Sequence, residues 1–468
     1  MFVGRKYELS KLNALYEKAS FQMAVVYGRR RVGKTTLIKE FCRGKRALMF
    51  TALEQSDSDN LSDFNRALIG FFDLPAAMGG FPSWSDAFAF IAEKARDERF
   101  IFVFDEFPYA ALRNEALPST LQIAIDHQFK DTGLFLILCG SNQGFMESQV
   151  LGHKSPLFGR RTIQIKLGPL GYRDAAKMLA GLDAQEAFRF YGCFGGVPYY
   201  LQQVDPGLSL RDNLAGLYFD QMGFLYEEPY GLLRQEFQEP ALYNSILRAI
   251  AAGANRTKQV ADRTGIAQTS LPRYLKSLET IGIIEKAIPF GENPETSKHG
   301  IYRLAEPCYL FWFRFVMPYT SDIEAGLGEA VVNALPNEQI DEYLGHRFEA
   351  LCAEWLSEQA RQGTLPIPAT SVGSWWGANP AKREQDDIDV LAADRVTKQL
   401  IACECKYRKS FDETAEIEDL ESKRNLIRGY TASHFMLFSK NKTSKATQAK
   451  LAEHPEWRLM TLDEMYAE

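Results

Sequence analysis

Two hydrophobic patterns alternate over the first third of the chain. Short, continuously apolar runs predict five strands: Met23 to Tyr27, Ala47 to Thr51, Phe100 to Phe104, Leu134 to Cys139 and Thr162 to Leu167. Between them, Thr35 to Phe41, Phe64 to Phe72 and Ala87 to Arg96 carry helical spacing. Strands without a polar face belong in a parallel sheet covered on both sides. The alternation therefore predicts a doubly wound parallel sheet, the α/β class, over residues 1–205. Asp205-Pro206-Gly207 breaks this pattern, and 206–240 reads as a helical linker. Leu242 to Ala251, Lys258 to Thr264 and Thr269 to Gly282 then predict three helices, with Pro272 in the first turn of the third. Ile283 to Lys286 and Ile301 to Leu304 alternate as strands around a loop rich in Gly, Pro and Asn. Three helices and a hairpin predict a winged helix-turn-helix over 241–320. Further on, Tyr343 to Glu358 places Phe348, Leu351 and Trp355 on one helical face. Asp387 to Leu391 and Leu400 to Lys406 then predict a strand pair in an α/β domain over 335–468.

Composition narrows the function classes. The 468 residues suit about three domains, and 46% hydrophobic with 24% charged residues excludes global disorder. Fifty-four Lys and Arg against 60 Asp and Glu leave a net charge of −6. Any nucleic-acid site must then be a local basic patch. No apolar run approaches the roughly 18 residues of a membrane span. The richest, Cys308 to Met317, is interrupted by Arg314 and predicts a buried helix, so no membrane partner is expected. The first residues lack the apolar stretch of a signal peptide. Seven scattered cysteines suit a reducing compartment, which predicts a cytoplasmic location.

The strongest chemical signal follows the first strand. Gly28-Arg29-Arg30-Arg31-Val32-Gly33-Lys34-Thr35 has the G-x-x-x-x-G-K-[ST] spacing of a phosphate loop. Its glycines let backbone N–H groups converge on an anion, and the next helix presents its positive end. ATP is the expected ligand, held through Gly28, Arg31, Gly33, Lys34, Thr35 and Thr36, with the Thr35 hydroxyl on Mg²⁺. The Phe100 to Phe104 strand ends in Asp105-Glu106, where Asp105 suits Mg²⁺ and Glu106 suits polarising the attacking water. The Leu134 to Cys139 strand leads into Gly140-Ser141-Asn142. Ser141 is the first choice there for sensing a γ-phosphate, against an ordinary turn.

In this order the motifs resemble a P-loop ATPase of the AAA+/STAND type, in its archaeal-type branch, over residues 1 to about 205. Phe2-Val3-Gly4-Arg5 resembles the box at the adenine end of the nucleotide, which implies nucleotide contacts for Gly4 and Arg5. Ser155 to Arg161 resembles the arginine segment, which implies a finger role for Arg160, across a subunit contact if the protein self-associates. A surface arginine before a strand is the alternative. Gly195-Gly196-Val197-Pro198 resembles the G-x-P element of a helical lid.

Two further regions suit nucleic acid. The third helix of the middle region carries Gln268, Thr269, Ser270, Arg273 and Lys276, short polar and basic side chains suited to DNA, although winged helices also serve as protein-contact modules. In the last third, strand periodicity puts Glu404 and Lys406 on one face, with Cys403 and Cys405 on the other. If the two strands form a hairpin, Asp389, Glu404 and Lys406 converge. Asp389 and Glu404 then suit a hard cation, Glu349 on the preceding helix completes the ligand set, and Lys406 suits charge stabilisation. This D-x₁₄-E-x-K arrangement resembles the PD-(D/E)xK nuclease core of the restriction-endonuclease-like fold over roughly 340–440. Trp375-Trp376-Gly377 before Ile388-Asp389-Val390 is similar to the domain of unknown function that often follows this ATPase type. The Lys- and Arg-rich stretch from Lys423 to Lys450 suits either phosphate contact or a solvated surface. Two functions follow: a nucleotide-regulated, metal-dependent DNA-processing enzyme, or an ATP-driven switch whose C-terminal domain binds nucleic acid or a partner without cutting.

Overall fold

A computed structural model describes residues 2–75 and 79–467. The chain forms two compact units, one of residues 1–170 with 197–199, the other of 171–196 with 200–468. Residues 171–196, read above with the ATPase region, thus group with the second unit.

Among the described residues the first unit holds five strands: β1 Gln22–Tyr27, β2 Ala47–Thr51, β3 Ile101–Asp105, β4 Phe135–Gly140 and β5 Ile163–Lys166. They form one sheet in the order β2-β3-β4-β1-β5, with every neighbouring pair parallel. All six residues of β1 are buried, as the unbroken apolar run predicts. Alternate residues serve opposite faces. Met23 and Val25 join the core that contains Phe64 and Phe102, whereas Ala24 and Val26 join the one that contains Ile38 and Phe41. The first core is aromatic. Phe64 packs on Phe102 at 5.4 Å and on Trp84 at 5.1 Å between ring centroids. Such pairs add about 0.5–1.5 kcal/mol each beyond their buried area. Ser56 and Ser83 start the helices Asp57–Phe71 and Trp84–Asp97 by accepting from the N–H groups of Asp59 and Asp86.

In the second unit, helices Pro240–Ala251, Thr257–Thr264 and Leu271–Thr280 precede strands β6 Ile284–Ala287 and β7 Ile301–Leu304, which pair antiparallel. Pro272 lies in the first turn of the third helix, where its missing N–H has no helical partner to lose. The Cys308 to Met317 stretch is helical, with Trp312 and Phe313 buried and Arg314 outside, paired with Glu342. The 26-residue helix Asn337–Gln362 buries Phe348, Leu351 and Trp355. It packs on a mixed sheet of β8 Ser371–Asn379, β9 Glu384–Ala393, β10 Gln399–Lys406, β11 Thr431–Ser439 and β12 Trp457–Thr461. The order is β12-β11-β10-β9-β8. The expected hairpin is present, because β9 and β10 pair antiparallel with Val390 opposite Cys403.

Candidate functional sites

In the first unit, the ends of β1, β3 and β4 meet at one edge of the sheet. β4 lies between β1 and β3, so parallel pairing brings the phosphate loop, Asp105 and Ser141 together, where such folds bind ligands. The loop itself requires glycine. A Cβ on Gly28 would stand 2.2 Å from the Leu167 carbonyl oxygen. Gly33 has φ +92° and begins the helix Lys34–Cys42. Lys34 is buried and donates to the carbonyls of Gly28 and Arg29 at 2.9 and 3.0 Å, so its ammonium lies inside the loop. The Thr35 hydroxyl donates to Asp105 Oδ2 at 3.2 Å, which brings the two expected Mg²⁺ ligands together. Thr36 is exposed on the first turn of the same helix.

Glu106 adopts φ +48°. Ser141 donates to its Oε2 from both backbone N–H (3.0 Å) and hydroxyl (2.9 Å). Ser141 thus holds a carboxylate, an arrangement that strand-end position alone does not reveal. Arg5, at φ +60°, donates to the Val32 carbonyl at 3.3 Å and to the Gly168 carbonyl, which ties the N-terminal box, with Gly4 at φ +70°, to the phosphate loop. Arg31, at φ +71°, stacks over Tyr199 at 5.4 Å. Pro198 lies against Gly33, with its Cγ 3.8 Å from where a Cβ would be. The G-x-P element therefore reaches the loop. Sequence reading missed Tyr199 and Tyr109, whose hydroxyl accepts from Arg30, since neither aromatic carries a motif of its own.

Arg160 is engaged within the unit. Its guanidinium forms a forked pair with Asp126, with Nε 3.1 and 3.2 Å from the two oxygens, and donates to the carbonyls of Pro156 and Phe158. The Arg160 hydrogen bond, with help from Lys130, overcomes partial burial and holds the Asp126 carboxyl well below the usual range. Arg161 lies over Phe158 at 6.0 Å, and its charge is felt at Tyr27, the last residue of β1.

In the second unit, Glu404 and Lys406 do share a face of β10, with Nζ to Oε1 at 2.7 Å. Lys406 also pairs with Glu416 at 3.0 Å. Burial opposes the lysine's charge, but these two carboxylates outweigh it and hold Lys406 protonated. Asp389 on β9 accepts from the Cys405 N–H at 2.8 Å across the hairpin. Burial raises the Asp389 carboxyl above its usual range, and the charges of Glu404 and then Glu349 push it further. Glu404 thus links Lys406 to Asp389, and Glu349 acts on Asp389. Among the described residues no group of three or more His, Cys, Asp or Glu side chains is arranged to hold a metal ion. Glu404 is instead engaged by Lys406 and Asp389 by the Cys405 N–H, so the expected ligand set of Glu349, Asp389 and Glu404 is not arranged around a common point.

Cys403 is fully buried, and Cys405 is close enough to Cys352 on the long helix for a thiol hydrogen bond. Lys423 is neither a solvated residue nor a free phosphate contact. It is buried, 3.2 Å from Asp386 and 2.8 Å from Asp419, and donates to the Asp387 carbonyl at 2.9 Å. Asp419 and Lys423 stand four apart, a helical spacing, whereas only the tertiary structure brings Asp386 to them. In the middle region Gln268, Thr269, Ser270, Arg273 and Lys276 are exposed, but the third helix begins only at Leu271, so Gln268, Thr269 and Ser270 lie in the turn before it, where Pro272 fixes the first helical turn. Arg273 pairs with Glu239 and Lys276 with Glu279.

Comparison with known proteins agrees with this division. An ATPase domain predominantly from Archaea matches residues 2–204. A domain described from archaeal and bacterial proteins of unknown function matches residues 312–417. The chain is 48% identical over 46 residues to an uncharacterised ATP-binding protein of Methanocaldococcus jannaschii, covering 10% of this chain and 78% of that one. In fold it is similar to the Walker-type ATPase of Pyrococcus abyssi, with a TM-score of 0.50 and 20% identity over 67% of this chain and 96% of that one. A second, uncharacterised M. jannaschii protein is 31% identical over 429 residues, or 91% of this chain and 92% of the relative. With a complete phosphate loop and the matched ATPase domain, the protein is an ATPase, and it belongs to the family of that archaeal relative.

Proposed function

We propose that this ATPase acts on or with DNA and that its C-terminal domain is a metal-dependent, nuclease-like module. The observation that carries the reading is the meeting of Asp389, Glu404 and Lys406 on one hairpin, with Glu349 near enough to raise the Asp389 carboxyl. Glu404 joins the two ends of this arrangement, because it pairs with Lys406 and its charge raises the Asp389 carboxyl.

The domain reading is residues 1–205 as ATPase and lid, 206–240 as linker, 241–320 as winged helix and 335–468 as nuclease-like core. The exposed side chains at the start of helix Leu271–Thr280 support DNA contact through the middle region. In the ATPase unit Lys34, Thr35 and Asp105 hold the nucleotide and its Mg²⁺, and Glu106, positioned by Ser141, orients water. In the C-terminal unit Asp389 and Glu404 hold a divalent cation with Glu349 behind them. Lys406 supplies positive charge where the phosphodiester gathers negative charge. The cation, when bound, polarises the phosphodiester. Arg160 acts near the nucleotide only after leaving Asp126, or through a second copy of the chain.

The test is cleavage of plasmid and single-stranded DNA with Mg²⁺ or Mn²⁺, with and without ATP. Cutting by the parent, lowered at least 100-fold in Lys406→Ala, supports the reading. No cutting under any of these conditions sinks it. The second reading, an ATP-driven switch whose C-terminal unit binds without cleaving, then takes its place. The double ion pair that holds Lys406 between Glu404 and Glu416 favours that second reading.

A further inference from the structure

A second group of charges gathers just beyond the carboxyl ends of β10 and β11. These strands run parallel as far as Lys406 and Ser439, and the Lys440 N–H donates to the Lys406 carbonyl at 3.0 Å. Lys406 turns toward Glu416, whereas the next side chain, Tyr407, turns toward the long helix. The Tyr407 ring packs on Phe348 at 5.7 Å and on Phe188 at 5.0 Å, and Lys440 Nζ stands over it at 4.4 Å. Helix Ala184–Phe194 closes one side. Its Gln185 donates to Asn441 Oδ1 at 3.2 Å, and Arg189, four residues on, shares that helical face.

The cations here differ from Lys406 and Lys423, each of which sits between two carboxylates. Among the described residues Arg189, Lys409 and Lys440 form no ion pair. Burial works against the Lys440 charge; Asp341 supports it, while Arg189 and Lys409 oppose it, and the net effect is a lowered pKa. Asp341, the one carboxylate acting on Lys440, pairs with none of the three. Arg189 Nε, the Tyr407 hydroxyl and Asp341 Oδ1 are buried without a hydrogen-bond partner. Such orphans are rare, and cations that repel one another favour a bound anion. Three cations less one carboxylate leave an excess of two positive charges. That excess suits a phosphate monoester, or two successive diesters of a strand, better than a single carboxylate. Open sheets bind ligands beyond the carboxyl ends of their parallel strands. We infer that the ends of β10 and β11, with Arg189, form a phosphate-binding site separate from the phosphate loop and from the Asp389 hairpin. A nucleic-acid backbone and a free phosphate compound offer it the same group.

Two probes test the site and distinguish those sources. The full chain carries Lys34→Ala throughout, which silences the phosphate loop. Arg189→Met and Lys440→Met remove the charges and keep the apolar stems. Lys450→Met removes an exposed charge elsewhere in the unit and serves as control. The probes are a fluorescent single-stranded 12-mer, read by anisotropy over a range of salt, and inorganic pyrophosphate, read by calorimetry. If the site grips a strand, each variant lowers the log–log salt slope by about 0.7 and the affinity at 100 mM salt about 5-fold. If it takes free phosphate, each variant weakens pyrophosphate binding about 10-fold. The control changes neither. Ligand-free thermal midpoints should hold or rise, because both variants relieve repulsion. Loss with either probe supports the site, and loss with pyrophosphate alone assigns it to a free phosphate compound. Binding of both probes that matches the control in both variants overturns the inference. So does a lowered ligand-free midpoint in both, which would make the cations packing residues. DNA cutting does not enter these readouts, so the phosphate site and the nuclease reading fail separately.

Discussion

At Gly28 the chain passes so close to Leu167 that even a methyl group collides with a carbonyl oxygen. Backbone holds that oxygen in place, so it cannot rotate away as a side chain could. Gly28→Ala should therefore destabilise the first unit by about 1–3 kcal/mol and weaken ATP binding, as read by thermal unfolding and nucleotide titration. Ser141 is the more instructive residue. As a γ-phosphate sensor it would contact nucleotide; in the structure both its N–H and its hydroxyl serve Glu106. A positioned general base contributes roughly 10²–10⁴-fold, and a mis-set one retains part of that. Ser141→Ala should thus lower kcat for ATP about 10-fold and leave KM within twofold. A raised KM with unchanged kcat would return Ser141 to the sensor role.

Among the elements, helix Asn337–Gln362 links packing to chemistry. One face buries Phe348, Leu351 and Trp355, while Glu349 acts on Asp389 and Glu354 turns elsewhere. Glu354 accepts from the Tyr172 N–H and the Tyr191 hydroxyl, both at 3.0 Å. Burial pushes its carboxyl up to about 7, against the lowering effect of those two donors. The folded unit therefore holds a proton that the unfolded chain releases near the ordinary value of 4.5. That contribution is fully present below about 4.5 and is lost as pH rises through about 7. Urea unfolding of the second unit should show stability falling from pH 5 to pH 8, with a flatter profile in Glu354→Gln. On the far side of the sheet, Lys423 neutralises Asp386 and Asp419. Burial works against its charge, but the three acidic neighbours Asp419, Glu404 and Asp386 raise its pKa well above the usual lysine range. Removing one member of a buried pair leaves an uncompensated charge and costs about 3–5 kcal/mol. Asp419 is partly exposed, so Lys423→Met should fall at or below the low end of that range by denaturant unfolding.

At the scale of the whole molecule, the two units differ in what their sheets present. One binds a nucleotide through a parallel sheet; the other sets acidic residues and a lysine on an antiparallel hairpin. Ligand that binds only the folded state stabilises it by mass action, about 2.7 kcal/mol at 100 times Kd. Mg²⁺-ATP should therefore raise the thermal midpoint of the first unit, and Lys34→Ala should abolish the shift. A shift that persists in Lys34→Ala would place the nucleotide elsewhere. Among the described residues no helix is long and apolar enough to cross a membrane, in line with the interrupted run around Arg314.

Local signals in the sequence sufficed for the parallel sheet, the phosphate loop with its acidic strand end, and the facing of Glu404 and Lys406. Each depends on spacing along one element, and strand or helix period converts spacing directly into geometry. Tertiary structure alone decided where side chains far apart in sequence end their hydrogen bonds. It assigned Ser141 to Glu106, Arg160 to Asp126 and Lys423 to Asp386. It also tied the β6–β7 loop to β8 through Phe290 and Ser374. The physical reason is that these partners meet through sheet order and the packing of separate elements, and no periodicity within one segment encodes such a meeting.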